Sequence, residues 1–112
     1  MVFKYIAVKS VDEALAAMRK YGGEGKIYSG GVALSILMKS GVYEPEAIID
    51  ISGVEALCGI EEGPSGGVRI GAGTPHRDIE TSPIIEQKFP LLAEAFHNVA
   101  TVRIRNTGTI GG

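Results

Sequence analysis

The sequence predicts an α+β fold in two parts: a small βαβαβ unit built on a parallel sheet, then the beginning of a second α+β unit with an antiparallel sheet. Three observations predict it. Short apolar runs alternate with helical patterns as far as Ile51, the order that parallel strands need for their crossovers. From Ser52 onward, short strand candidates flank a Glu-Glu-Gly-Pro-Ser-Gly-Gly loop, which is a hairpin signal. The 112 residues, 45% of them hydrophobic, amount to one domain, enough to bury a core while leaving much of the surface wet. The division between the two parts is set at residues 1–52 and 53–112.

A strand around Phe3 to Ala7 opens the chain. Ser10 and Glu13 form a capping box for a helix from Val11 to Tyr21, with Val11, Ala14, Leu15 and Met18 on one face and Gly22 at the position of a left-handed C-cap. A strand over Lys26–Ser29 runs into Gly30-Gly31, and a helix over Val32–Lys39 follows, its apolar face made by Leu34, Leu37 and Met38. Ala47-Ile-Ile-Asp-Ile51 is too apolar for an edge strand with one wet face. In the second part Leu57–Glu61 and Val68–Gly71 pair as a hairpin. Thr74-Pro75 and Ser82-Pro83 each read as an N-cap followed by proline at the first helical position, giving short helices near 75–80 and 83–88. Leu91, Leu92, Ala95, Phe96 and Val99 keep helical spacing after Pro90, on a helix expected to pack on the second sheet. Thr101-Val-Arg-Ile-Arg105 alternates polar and apolar residues and reads as a strand, and Asn106-Thr-Gly108 turns the chain into Thr109-Ile-Gly-Gly112.

Charge and cysteine content exclude several partners. Net charge is −2 with both signs scattered, so no basic stripe is available for nucleic acid and no polybasic segment for a membrane surface. The one cysteine, Cys58, forms no internal disulfide and cannot alone hold zinc or an iron–sulfur cluster. Its apolar flanks predict an inert buried thiol, and a reducing cytoplasm is the expected setting. No apolar run approaches the roughly 20 residues of a membrane span, and Met1-Val-Phe-Lys-Tyr5 lacks the order of a signal peptide.

The stretch Lys26–Lys39 carries the chemistry. A strand, two adjacent glycines and a helix leave backbone N–H groups unpaired at a helix N-terminus, with no Cβ at Gly30 or Gly31 to hold a ligand away. Such a junction suits an anion. The second glycine turn, Thr109-Ile-Gly-Gly112, would supply further amides, which points to the pyrophosphate of a dinucleotide. The generic phosphate motifs fail. Gly25-Lys26 is followed by Ile27 where a P-loop needs Ser or Thr, and Gly71-Ala-Gly73 has His76 where the dinucleotide fingerprint has its third glycine. From the residues alone, the first turn is either a phosphate site or an ordinary tight βα turn. A Gly31→Glu substitution is expected to abolish ligand binding if the amides hold phosphate, while leaving the fold largely intact. No acid–base or nucleophilic constellation emerges: His76 reads as a capping or surface residue, His97 as solvated, and Arg103 and Arg105 as neighbours on one exposed strand face.

Tyr28-Ser-Gly-Gly-Val-Ala-Leu34, Gly71-Ala-Gly-Thr-Pro-His-Arg-Asp-Ile-Glu80, Phe89-Pro-Leu-Leu92 and Val102-Arg-Ile-Arg-Asn-Thr-Gly-Thr-Ile-Gly-Gly112 together resemble one family across the whole chain. It is the FAD-binding medium subunit of molybdenum hydroxylases, of the carbon monoxide dehydrogenase and xanthine dehydrogenase type. The resemblance implies a PCMH-type FAD-binding fold, shared with vanillyl-alcohol oxidase-type flavoproteins, and FAD as cofactor. It places the FAD pyrophosphate on Tyr28, Ser29, Gly30, Gly31, Val32, Ala33 and Leu34 and on Gly108, Thr109, Ile110, Gly111 and Gly112. It also implies an oxidoreductase complex, with a molybdenum-cofactor large subunit, an iron–sulfur small subunit, and electrons passing through the flavin to an acceptor. Two departures stand out. Where the family usually has a polar pair, this chain has Val32 and Ala33, so side-chain hydrogen bonds to phosphate, worth about 0.5–1.5 kcal/mol each, are lost. Family members also continue past the Thr-Ile-Gly-Gly turn, so the chain is expected to be an expressed fragment, the product of a truncated or split gene, or the ordered part of a longer protein, and inactive alone. Other readings are a structural or assembly remnant of the domain and a nucleotide-binding module that uses only the Gly30-Gly31 turn.

Overall fold

The structure, a computed structural model, describes residues 3–112. Met1 and Val2, the start of the stretch read as lacking a signal peptide, lie outside the described residues. The first unit forms as its pattern requires. Strands β1 (Lys4–Ala7), β2 (Gly25–Tyr28) and β3 (Ala47–Asp50) make one parallel sheet in the order β1-β3-β2. The most apolar strand is the central one, and all four of its residues are buried. Ile49 sits opposite Ile6 on one side and Ile27 on the other.

Helix α1 (Val11–Tyr21) packs on β2 and β3, and Ala14 joins Val8, Ile49 and Val54 in the core of this unit. Ser10 Oγ accepts from Glu13 N at 3.1 Å, while the Glu13 carboxylate accepts from Lys9 N at 3.0 Å, one residue before the usual capping-box partner. Gly22 closes the helix at φ 53°. Ser10→Ala is expected to cost about 0.5–2 kcal/mol, read as a lower urea midpoint with an unchanged slope. An unchanged midpoint would show the cap to be idle.

Helix α2 (Val32–Lys39) buries none of its residues fully. Its apolar side chains Leu34 and Leu37 line a cavity instead of filling a core. The second unit starts with a 3-10 turn at Glu55–Leu57 and the antiparallel hairpin β4 (Ile60–Glu62) and β5 (Val68–Ile70), somewhat later than the Leu57–Glu61 reading. Helices α3 (His76–Glu80), α4 (Pro83–Lys88) and α5 (Pro90–His97) follow, with Ile79, Ile85 and Ala93 as their shared core. Ser82 caps α4 through Ile85 N, with Pro83 in the first turn. Thr74 does not cap α3. The N-cap is Pro75, and Thr74 is buried, accepting from Gly59 N at 2.9 Å. Helix α5 packs chiefly on α3 and α4, and the hairpin reaches the same core through Ile60, Val68 and Ile70.

The main correction falls on Thr101–Arg105, which is not a strand. Thr101 is the N-cap of α6 (Val102–Thr107), its hydroxyl accepting from Ile104 N at 3.3 Å. Cys58 is also misread: it is an exposed free thiol at the end of the 3-10 turn. Among the described residues no helix is long and apolar enough to cross a membrane.

Candidate functional site

The two glycine turns meet. β2 ends at Tyr28, and Gly30 and Gly31 take φ 73° and 74°, left-handed values that let the chain enter α2 at once. A Cβ on Gly30 would lie 2.3 Å from Thr107 O, and one on Gly112 would lie 3.0 Å from Ser29 O. Ser29 Oγ and Thr109 Oγ1 are 3.1 Å apart, joining the turns across 80 residues of sequence. The second turn is held from below: His76 N donates to Gly108 O at 2.9 Å, and Ile110 N to Thr74 O at 3.0 Å.

Beside this junction lies a cavity of about 380 Å³. Of the residues the sequence assigned, Ser29, Gly31, Val32, Ala33, Leu34, Gly111 and Gly112 line it. Tyr28, Gly30, Gly108, Thr109 and Ile110 do not; Thr109 joins the two turns through Ser29, and Gly30 meets Thr107 O. Sequence reasoning missed Lys26, Ile27, Leu37, Ile51 and Ala72, which complete the lining. For Lys26 no spacing marks a role; it comes to the lining through its place on the edge strand β2.

The amino end of α2 has the geometry of an anion cradle. Gly31 is its N-cap and, among the described residues, no side chain caps it. The intrahelical ladder begins with Ser35 N donating to Gly31 O at 2.8 Å, so the N–H groups of Val32, Ala33 and Leu34 have no carbonyl within the helix to bond. The positive end of the helix dipole faces the same space. The second turn differs: Ile110, Gly111 and Gly112 donate to Thr74 O, Ala72 O and Thr109 O. Its amides are committed to the fold, and its glycines instead let the wall come close, since a Cβ on Gly111 would sit 2.7 Å from Ala72. A Cβ on Gly31 would lie 2.2 Å from the Tyr28 ring. Gly31→Glu therefore disturbs the fold as well as any ligand.

Behind the second turn sits a buried ionic cluster. Glu80 and Arg105 have 1% and 6% of their side chains exposed, and Arg105 Nε lies 3.2 Å from Glu80 Oε1. Arg77 donates to the same carboxylate, and His97 Nδ1 stands 3.1 Å from Glu80 Oε2. The reading of Arg105 as exposed on a strand fails, since it is buried on a helix. His97 is solvated as read, with 71% of its side chain exposed, and its ring also meets the Glu80 carboxylate. Burial pushes the Glu80 carboxyl up, but the guanidinium groups of Arg77 and Arg105 outweigh it and hold the group below its ordinary value. A depressed carboxyl contributes stability that is present above the unfolded-state value of about 4.5 and is lost as pH falls through the lower folded-state value. Glu80→Gln is expected to flatten this acid limb in urea midpoints taken at successive pH values. A parallel limb in both proteins would assign acid sensitivity elsewhere. His76, read as a surface cap, is half-buried beneath Gly108, its ring 5.1 Å from that of Phe96.

With the geometry in place, the chain can be compared with known proteins. Residues 1–112 match the family model described as FAD binding domain in molybdopterin dehydrogenase. The chain is 45% identical over 111 residues to the carbon monoxide dehydrogenase medium chain of Hydrogenophaga pseudoflava, covering 98% of this chain and 38% of that protein. It is 37% identical over 110 residues to the 6-hydroxypseudooxynicotine dehydrogenase complex subunit alpha of Paenarthrobacter nicotinovorans, covering 98% and 37%. Among solved structures, carbon monoxide dehydrogenase from Hydrogenophaga pseudoflava lacking the Mo-pyranopterin moiety superposes with a TM-score of 0.94 at 43% identity, covering 100% of this chain and 40% of that one. Quinoline 2-oxidoreductase from Pseudomonas putida 86 gives 0.94 at 28% identity, covering 100% and 39%. The chain thus spans well under half the length of the relatives it matches.

Proposed function

The chain belongs to the family of FAD-binding domains in molybdopterin dehydrogenases, and on that premise we propose that it holds the pyrophosphate of FAD at the amino end of α2. The cofactor of this family is FAD. The observation that carries the assignment is the uncapped start of α2, whose residues Val32, Ala33 and Leu34 line a cavity together with Lys26. These residues fit an anionic group. Gly111, Gly112 and Ala72 form the opposite wall, and Leu34, Leu37 and Ile51 offer apolar surface to the parts of the ligand flanking the phosphates.

FAD, when bound, supplies the redox chemistry. The chain's residues bind and orient it: α2 neutralises phosphate charge with amides and dipole, and the Ser29–Thr109 contact fixes the distance between the two walls. We place the chain in the FAD-carrying part of an oxidoreductase complex, beside an iron–sulfur subunit and a molybdenum-cofactor subunit, serving electron transfer to an acceptor. The division at residues 52 and 53 is proposed as the boundary between its subdomains, and the cytoplasm as its compartment.

A second reading draws on a specific observation. The second turn's amides are already paired, so the first turn alone would hold a phosphate, as in a general nucleotide-binding module. A titration separates the two. FAD fluorescence quenching and the visible spectrum are followed on the purified protein, with ADP as competitor. Saturable binding of FAD in the micromolar range or tighter, with ADP weaker by about tenfold or more, is the expected result. Equal affinities would favour the second reading, and no binding of either would overturn both.

A further inference from the structure

We propose that Arg105 is a positioning residue for the flavin site, setting the place of the Thr109–Gly112 turn through its buried ion pair with Glu80. The inference rests on the assignment of that turn to the FAD cavity. Helix α6 is six residues long, and among them Arg105 alone is buried. Val102 and Ile104 are 47% and 36% exposed, so α6 has no fully buried apolar residue by which to dock. Its entry is tied to α3 by one guanidinium, while its exit is held by His76 N donating to Gly108 O.

That guanidinium acts in two directions. Its Nε faces Glu80 Oε1 at 3.2 Å, and its Nη1 donates to Val99 O at 2.7 Å and Ala100 O at 3.3 Å. Ala100 takes φ 45°, a left-handed value costly for a side chain. Both of these carbonyls lie just before α6, so Arg105 ties the entry of the helix to α3. The exit of the helix then becomes the site. Gly108 N donates to Ile104 O at 2.7 Å, Thr107 O lies against Gly30, and Thr109 reaches Ser29. A shift of α6 therefore moves the wall that carries Gly111 and Gly112 and bears on the Ser29–Gly30 turn it touches.

A lysine at 105 keeps the charge but cannot bridge Glu80 and two carbonyls at once. The test measures FAD affinity and native-state amide exchange on the intact protein, with any subunits that purify with it, for wild type, Arg105→Lys and Arg105→Ala with and without added guanidinium. FAD is expected to bind Arg105→Lys about tenfold more weakly, the loss of roughly one charge-assisted hydrogen bond. Guanidinium is expected to restore much of the affinity of Arg105→Ala. Without ligand, amide exchange at 108–112 in Arg105→Lys is expected to accelerate about tenfold relative to Ile48–Asp50. If an arginine variant fails to fold, Glu80→Gln, which removes the partner charge at constant shape, carries the same measurements. Unchanged FAD affinity, or exchange that rises equally in the sheet and in the turn, would overturn the proposal. A wild type that does not bind FAD would overturn the site assignment instead, and the exchange comparison would still decide whether Arg105 positions the turn.

Discussion

Gly30→Ala is expected to destabilise the protein by about 2–5 kcal/mol, combining the cost of a left-handed backbone with that of overpacking. The methyl group would have to share space with Thr107 O, 2.3 Å away. That oxygen belongs to the backbone, so no rotamer change relieves the contact; either α6 or the β2–α2 turn must move. Gly41→Ala supplies the control. Its φ is 76°, nearly the same, but nothing lies within 4 Å of its Cβ, so only the backbone cost of about 1–2 kcal/mol applies. The difference between the two melting temperatures isolates the close approach of the turns, and for a chain of this size each kcal/mol moves the midpoint by roughly 4–8 °C. Equal losses at both glycines would mean that the turns do not touch in solution.

Ala33→Glu is expected to have the opposite profile, with a large effect on ligand and little on the fold. Ala33 is exposed in the first turn of α2 and lines the cavity. A carboxylate there interacts favourably with the helix dipole, by about 0.3–1 kcal/mol, so the melting temperature should hold or rise slightly. The same carboxylate would stand near a bound pyrophosphate. At about 5 Å each phosphate charge would be repelled by roughly 1–3 kcal/mol, depending on local screening. Two charges then lower FAD affinity by about thirtyfold or more. Ala33→Gln, of nearly equal size and no charge, is expected to recover most of the binding. An Ala33→Glu protein that binds FAD like wild type would move the phosphates elsewhere.

The parts of the fold that were legible in the sequence are those where a local signal and the burial pattern agree. The bounds of α1 follow from Ser10, Glu13 and Gly22, and the central place of β3 follows from an apolar run with no polar face to expose. Both signals reflect backbone groups or surfaces that must be satisfied wherever the segment lies. Residues 101–105 had no such agreement. Val102 and Ile104 alternate with polar neighbours, which suits a strand, but neither is fully buried, so the alternation carries no packing information. The decisive features were the Thr101 cap and the partner of Arg105, and the second is 25 residues away at Glu80. At the site, the glycine turns were legible as backbone features, and the seven lining residues drawn from them were named through the family resemblance. Lys26 and Ala72 enter through tertiary proximity alone. Cys58 was misjudged for a related reason: apolar neighbours in sequence say little when the chain leaves a 3-10 turn.

The order β1-β3-β2 also constrains how the chain acquires its shape. β3 comes last of the three in sequence, yet it lies between the other two, and β1 and β2 bond only to it. A nascent chain that has emerged as far as Lys39 holds two strands, both crossovers' worth of helix, and no ladder. Sheet formation must wait for Ala47–Asp50, so the first unit has no ladder to populate until its last strand is made. The cradle at the start of α2 inherits this timing, because the strand that delivers Gly30 and Gly31 is fixed only when β3 arrives.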